Sequence, residues 1–340
     1  MKNIIDIYND NAKHFKLVAV GDALCHANLY RACKDTGYAH ILSDYKLDKN
    51  DLNFYNQESI IGYGKFHGSY SKMINLRMQA HFNSLPDFAD TFIDKGFNMV
   101  SLANNHALDT EGKGVEHSVK YWKGKNVIYA GQYLNDKERF EERIYTKNGI
   151  KFAFFAYTTK DNSKYNDPKH PYYRNDFDYV LAEADIKAVR DKVDIIIVSI
   201  HWGSEHTFTP NQEQRDIAEF LADLGVDIVL GHHAHCIQPV VKIKNTWVAY
   251  SLGNFLASQA TTMLSTEIGL QLTVDVKKTT KGIELQPSGR LTYFYRSPNR
   301  DNFKLMYLDK TPDTMLPNAK SILTEYWHAV TKYCEIPYMT

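Results

Sequence analysis

The sequence predicts an α/β protein, one large domain carrying two sheets. Three observations lead there. Apolar runs of strand length alternate with segments of helical period over most of the 340 residues, the signature of an α/β chain. Beyond residue 240, strand-like runs follow one another without helices between them, which favours an antiparallel or mixed second sheet. No repeat, low-complexity tract or Pro/Gly-rich linker breaks the pattern, so residues 1–340 read as a single domain.

The elements follow in order. Lys16–Gly21 (KLVAVG) reads as a buried strand and Asp51–Glu58 as a second. Leu85–Gly96 has helical periodicity and leads into the strand-like Asn98–Leu102. Gly112–Gly124 reads as a helix, followed by the strand Val127–Ala130. Ile150–Thr158 (IKFAFFAYT) is strongly β, because aromatic and β-branched residues suit a pleated, buried surface. Phe177–Asp191 is an amphipathic helix before the strand Asp194–Ile200, and Gln212–Leu224 is a helix before Asp227–Leu230. Strands are then expected around Val240–Ile243, Thr246–Tyr250, Ile268–Val276, Arg290–Tyr295 and Phe303–Leu308, with a closing helix at Ser321–Tyr333. Two polar, aromatic-rich stretches, Ile60–Arg77 and Lys160–Asp176, read as loops inserted into this scheme.

Composition narrows the function. The chain is long enough to fold around its own core without a disulfide or structural metal. Lys+Arg and Asp+Glu both number 40, so the formal charge is zero and a globally basic nucleic-acid binder is excluded. The 4 cysteines, Cys25, Cys33, Cys236 and Cys334, form no CxxC pair and read as reduced thiols. The first fifteen residues carry Asp6, Asp10 and Lys13 and no apolar run, and the longest dense apolar stretch is Ile195–His201. A signal peptide needs about 7–15 apolar residues and a membrane helix about 20, so the chain as given is expected to be soluble and cytoplasmic, without a membrane segment. The 14 histidines stand out, since histidine is the commonest metal ligand.

Chemistry clusters where the strands end. KLVAVG runs into Asp22, and DLNFYNQ runs into Glu58 with Asn56 just before it. NMVSLA gives way to Asn104, Asn105 and His106, with Asp109 one turn on. DIIIVSI ends in His201, Trp202 and, beyond Gly203, Glu205. DIVLG leads to His232, His233 and His235, and TWVAYSLG to Asn254. In open α/β sheets ligands bind at the carboxyl ends of strands. Carboxylate and amide oxygens with imidazole nitrogens suit one or two divalent ions, Mn, Fe, Zn or Ca. Glu58 could bridge two ions, and His233 and His235, as an HxH pair on an extended segment, would point both rings to one face. His106 is placed to act as a general acid or to steady an oxyanion, with Asp109 to orient it.

Taken singly, each residue has a plainer reading. Asp22 after glycine suits a turn, the Asn104–Asn105–His106 run suits a left-handed turn, and one histidine at a strand end is commonly a satisfied polar residue. It is the joint set, in order, that points to a metal centre. His26, His206 and His232 fall outside the pattern and read as peripheral, and Cys236 as a packed thiol. Tyr165, Tyr172, Tyr173 and Tyr179 read as packing ahead of a substrate groove.

The order of these motifs resembles the capsule-synthesis protein CapA family, associated with bacterial poly-γ-glutamate capsules, within the calcineurin-like metallophosphoesterase superfamily. The matching stretches are VAVGD (18–22), NQES (56–59), SLANNHALDTEGKG (101–114), IHWGSEH (200–206), Pro210 with Gln214, VDIVLGHHAHCIQP (226–239) and YSLGNF (250–255), which together span residues 16–256. The resemblance implies an α/β/β/α sandwich of two mixed sheets flanked by helices, with residues 267–334 completing the second sheet. It implies Asp22, Glu58, Asn105, His201, His233 and His235 as metal ligands and His106 as the catalytic histidine. Asn56, Asn104, Trp202, Glu205, Gln238 and Asn254 are placed around them, in contact with substrate or supporting the ligands. Many calcineurin-like phosphatases carry Asp-x-His in the first motif, whereas Ala23 and Leu24 follow Asp22 here. The CapA-like pattern shares that gap, which leaves one of two metal positions short of a ligand.

Fold does not fix substrate, and three readings stand. The first is a metal-dependent hydrolase acting on poly-γ-glutamate, a related peptide or a phosphoester, with Arg77, Arg174 or Lys160 meeting carboxylates. The second keeps the metal but abstracts a proton at Cα of a bound peptide, as an epimerase would. The third is a non-catalytic component working with capsule-assembly proteins. The resemblance also implies membrane-anchored or extracellular relatives.

Overall fold

The long apolar runs of the sequence are strands covered on both faces. The computed structural model describes residues 13–49, 51–65, 67–74, 77–163, 165, 167–259, 263–316, 320, 323–324, 334–336 and 338–339; for 67–80 and 338–339 this covers the backbone, with His81 onward complete. The elements begin with β1 (Lys13–Leu24), α1 (Ala27–Cys33), β2 (Leu52–Gln57), β3 (His67–Ile74), β4 (Arg77–Asn83) and α2 (Pro86–Lys95). Next come β5 (Met99–Ser101), α3 (Glu111–Lys123), β6 (Ile128–Ala130), α4 (Asp136–Arg139), β7 (Ile144–Lys147) and β8 (Ile150–Thr158). They continue with α5 (Tyr179–Arg190), β9 (Ile195–His201), α6 (Gln212–Asp223), β10 (Ile228–His232), β11 (Ile237–Ile243) and β12 (Thr246–Leu252). The last are β13 (Asn254–Ala257), β14 (Ile268–Thr279), β15 (Gly282–Arg296), β16 (Phe303–Tyr307) and β17 (Tyr338–Met339).

Two mixed sheets result. The first has the order β16-β15-β14-β1-β2-β5-β6, with β13 also on β1 and β17 also on β15. The second has the order β11-β12-β10-β9-β8-β7. β1, β2, β5 and β6 run parallel, as do β8, β9, β10 and β12, while β14, β15 and β16 are antiparallel. This is the α/β/β/α sandwich that the sequence led us to expect.

Alternation along each strand explains the layers. Phe152, Phe154, Ile195 and Ile197 face inward and join Leu17, Leu52, Phe54 and Leu272 in the core between the sheets. Ala153, Phe155, Ile196 and Val198 face outward against Ile186, Ile217 and Leu221 of α5 and α6. On the other side Val20 and Tyr55 pack on Phe88 and Phe92 of α2. The helices start where the sequence caps them. Asp178 accepts hydrogen bonds from the N–H groups of Val180 and Leu181, and Asn211 forms a reciprocal capping box with Gln214.

Three expectations are refined. The strands after residue 267 do not complete the second sheet: β14, β15 and β16 extend the first, where β14 runs antiparallel to β1, and of the late strands only β11 and β12 join the second. The polar stretch Ile60–Arg77 is not a plain loop, because β3 and β4 pair there as an antiparallel hairpin. The helix expected at Ser321–Tyr333 falls largely outside the described residues, as does the amino-terminal segment before Lys13. Among the described residues no helix is long and apolar enough to cross a membrane.

Candidate metal centre

The strand ends of both sheets deliver the site. Asp22 lies in β1 at a break in register, opposite Asn254 of β13 and Asn56 of β2. The break follows from glycine: a Cβ on Gly21 would stand 1.8 Å from the Gly253 carbonyl oxygen. Gly253 itself has φ +68 and carries the chain from β12 in the second sheet to β13 in the first. Its carbonyl accepts the Asp22 N–H at 2.9 Å. Glu58 follows β2 directly, its N–H bonded to the Ala23 carbonyl at 3.1 Å. Asn105 and His106 sit in the turn after β5, and His201 and His232 end β9 and β10 as register partners.

The HxH pair converges by a different route from the one expected. His233 and His235 are not on an extended segment; both have positive φ, 89° and 55°. A tight turn after β10 therefore brings their ring centroids to 6.1 Å, and His233 to 4.7 Å from His201.

The resulting cluster is dense and buried. Asp22 Oδ1 accepts from Asn56 Nδ2 at 2.8 Å, and Asp22 Oδ2 accepts the His233 N–H at 3.2 Å. Asn105 Oδ1 lies 2.9 Å from His201 Nε2, and Asn254 Oδ1 lies 2.9 Å from His235 Nδ1. Glu58 Oε1 stands 3.7 Å from His201 Nε2 and 3.5 Å from His235 Nε2. Among the described residues neither Glu58 oxygen has a hydrogen-bond partner, although both are buried, and the same holds for His233 Nδ1 and Asn105 Nδ2. Buried polar atoms are nearly always satisfied, so the bare Glu58 oxygens and His233 Nδ1 fit a cation. Three overlapping groupings bring ligand atoms within 4.8 Å of one another: Asp22–Glu58–His235, Glu58–His201–His233 and Glu205–His233–His235.

The protonation states divide the set: His201 and His233 are already neutral, whereas Glu58 and His235 hold protons that an ion would have to displace. Burial pushes Glu58 from 4.5 up to about 8. Burial drives His233 down to about 3 and holds His201 well below its ordinary value, so both present neutral imidazoles. Burial would also lower His235, but the Glu58 and Asp22 carboxylates carry it from 6.5 to about 10. Asp22 is held well below the usual carboxylate range; burial opposes this, and His232 and His235 outweigh it.

Beside the cluster, His106 Nδ1 lies 2.7 Å from Asp109 Oδ2, both side chains 4% exposed. The same Asp109 oxygen accepts the Phe82 N–H at 2.6 Å, and the Phe82 ring stands edge-on to His106 at 4.7 Å. Burial works to lower His106, yet Asp109 raises it above its ordinary value. Asn104 braces this turn, accepting from the His106 N–H at 3.0 Å and donating to the Gln57 carbonyl at 2.9 Å.

The other expected residues divide. Trp202 is buried in the outer core of the second sheet and donates Nε1–H to the Tyr250 carbonyl at 2.8 Å. Gln238 is buried between Gln214 and the Thr207 carbonyl, 2.8 Å from each. Both brace the loops. Glu205 is exposed at the mouth. Arg174 is paired with Asp161 and Asp176, and Lys160 with Glu213, so their charges are matched within the protein. The Arg77 side chain lies outside the described residues. Tyr173 is packed and bonded to Glu116, Cys236 is a buried thiol bonded to the Thr207 carbonyl, and His26 is half-buried against Leu24 and Ser258.

Sequence reasoning missed His232. It is fully buried, its Nδ1 3.4 Å from Asp22 Oδ1, under the ring of Phe54 at 5.5 Å. Period-2 alternation was the signal: Ile228 and Leu230 face the core between the sheets, and His232 continues that row.

The strand ends of this α/β/β/α sandwich thus gather carboxylates, an amide and imidazoles into one site. A family model described as "Bacterial capsule synthesis protein PGA_cap" matches residues 16–259. The chain belongs to that family. It is 29% identical over 187 residues to "PGA biosynthesis protein CapA" of Bacillus subtilis (strain 168), covering 54% of this chain and 49% of that protein. It is 30% identical over 186 residues to "Capsule biosynthesis protein CapA" of Bacillus anthracis, covering 54% of this chain and 45% of that protein. The chain thus spans about half the length of these curated relatives. A crystal structure of a candidate 5'-nucleotidase from Staphylococcus aureus, in complex with alpha-ketoglutarate, aligns with a TM-score of 0.49 at 12% identity. That alignment covers 92% of this chain and 58% of the other.

Proposed function

We propose that this chain is a metal-dependent hydrolase acting on poly-γ-glutamate or a related peptide, at a γ-glutamyl-type amide, or on a phosphoester. The observation that carries the reading is the pairing of bare, buried ligand atoms with a histidine–aspartate pair beside them. Asp22, Glu58, Asn105, His201, His233 and His235 would hold one or two divalent ions. Bound there, such ions supply Lewis acidity and lower the pKa of water. His106, its Nδ1 fixed by Asp109, keeps Nε2 for the leaving group, and against the effect of burial Asp109 raises its pKa above the ordinary value, which favours the acid form. Asn254 fixes the His235 ring through Nδ1, leaving Nε2 toward Glu58. The peptide substrate class comes from the names of the Bacillus relatives, as does an association with capsule-assembly proteins. The shared inner core of the two sheets supports treating the chain as one domain.

The test is direct. Purified full-length chain is analysed for bound metal and assayed with Mn, Zn or Ca on p-nitrophenyl phosphate, bis-p-nitrophenyl phosphate and γ-glutamyl oligomers. Metal-dependent release of shorter oligomers is expected. Turnover of phosphodiesters alone would remove the polyglutamate substrate, and bound metal without turnover would favour an assembly component. Exchange of the Cα proton without cleavage would favour epimerisation.

A further inference from the structure

We infer that Glu205 is the solvent-side carboxylate ligand of the metal centre, closing on the His233–His235 corner. This rests on the metal-centre reading above. Glu58 belongs to both fully buried ligand groupings, whereas Glu205 is grouped with one histidine from each, His235 and His233. Of the residues in the three groupings, Glu205 alone is exposed. His233 Nδ1, buried and without a hydrogen bond, belongs to the same corner of the site.

Exposed glutamates ordinarily sample many rotamers, but the backbone of this one is fixed from both sides. Gly203, at φ +83, packs against Gln214, where a Cβ would stand 2.5 Å from Gln214 Oε1. Thr207 Oγ1 donates to the Ser204 carbonyl at 2.8 Å and closes the turn around Glu205. The His206 N–H donates to the Ala234 carbonyl at 2.8 Å, in the middle of the His233–His235 turn. The Thr207 carbonyl accepts from Cys236 Sγ and Gln238 Nε2. The Glu205 loop and the histidine turn are therefore one clamped unit, which lowers the entropy lost when the carboxylate closes on a cation.

Charge agrees with the assignment. Two divalent ions bring four positive charges against the two carboxylates Asp22 and Glu58. A third carboxylate at the mouth lowers the surplus, and its exposure lets an anionic substrate displace it. The ion it holds should accordingly be the weaker of the two.

Isothermal titration calorimetry of the full chain with Mn²⁺, with metal content by elemental analysis, tests this. Wild type should show a tight and a weaker site. Glu205→Gln should weaken the weaker site about tenfold or more while leaving the tight one unchanged, and Glu205→Asp should fall between. The metal-free melting temperature should not move, since the residue is exposed. Two wild-type sites with both affinities kept within about twofold in Glu205→Gln would overturn the assignment. So would loss of the weaker site in His206→Ala but not in Glu205→Gln, because His206 Nε2 is also buried without a partner and its ring lies 6.1 Å from that of His235. Wild-type protein that binds no divalent ion would overturn the metal-centre reading itself.

Discussion

Metal binding to this chain should release protons, and its affinity should climb steeply with pH. Two buried ligands hold protons in the metal-free protein. Burial carries Glu58 to about 8, while the Glu58 and Asp22 carboxylates overcome burial to carry His235 to about 10. An ion requires the carboxylate and the neutral imidazole, so near pH 7 these protons must leave. His201 and His233 contribute none, because burial already keeps both neutral. Each displaced proton makes the affinity rise tenfold per pH unit, about 1.4 kcal/mol. Between pH 6 and 7.5 the Kd should fall by about 10- to 100-fold per unit, the lower figure applying where Glu58 and His235 share one proton. Above pH 8 the slope should settle at about one proton and vanish above pH 10, where both folded-state values have been passed. Calorimetry with Mn²⁺ in two buffers of different ionisation enthalpy counts the protons directly. His235→Ala should remove at least one from the count. A Kd that stays constant from pH 6.5 to 8, with no proton released, would refute this account of the ligands.

Other predictions follow from separate parts of the molecule. His106→Ala should lower turnover about 10²–10⁴-fold with Mn²⁺ affinity unchanged. Asp109→Asn removes the charge that raises His106, so the alkaline limb of the pH–rate profile should move to lower pH. Arg139→Ala breaks a buried two-pronged pair with Asp185, where the side chains are 2% and 9% exposed, and should cost about 3–5 kcal/mol in urea unfolding. Gly21→Ala forces a methyl group against the Gly253 carbonyl, and should cost about 3 kcal/mol together with a measurable loss of bound metal, because Asp22 is displaced.

Much of the site was legible because strand ends announce themselves: an apolar run stops and a ligand-type residue follows. Asp22, Glu58, Asn105 and His201 were found in this way. The layers were legible for a related reason, since runs such as Ile195–Ile200 leave no polar face and must be covered twice. Less legible was whatever depends on backbone turns. The convergence of His233 and His235 rests on two left-handed residues, which histidine seldom adopts and composition does not signal. The β3–β4 hairpin was hidden because its polar sequence carries no clear period. Trp202 and Gln238 sat on motif positions yet serve the loops from inside the protein, which only their hydrogen-bond partners disclose.

Asp22, Glu58 and Asn105 come from one sheet, and His201, His233 and His235 from the other. An ion gripped by both sets would act as a rivet between two layers that are already tied at this end by the chain crossing at Gly253 and by the Asp22–His233 and Asn105–His201 hydrogen bonds. Chelation would then loosen a joint as well as empty a site, and the spacing of the ligands would gauge how the layers lie against each other. The pair Phe54–Phe154, with ring centroids 5.9 Å apart across the interior, is one of the spacers that sets this gauge. Trimming or enlarging such a spacer should retune the metal chemistry from below, without touching a single ligand.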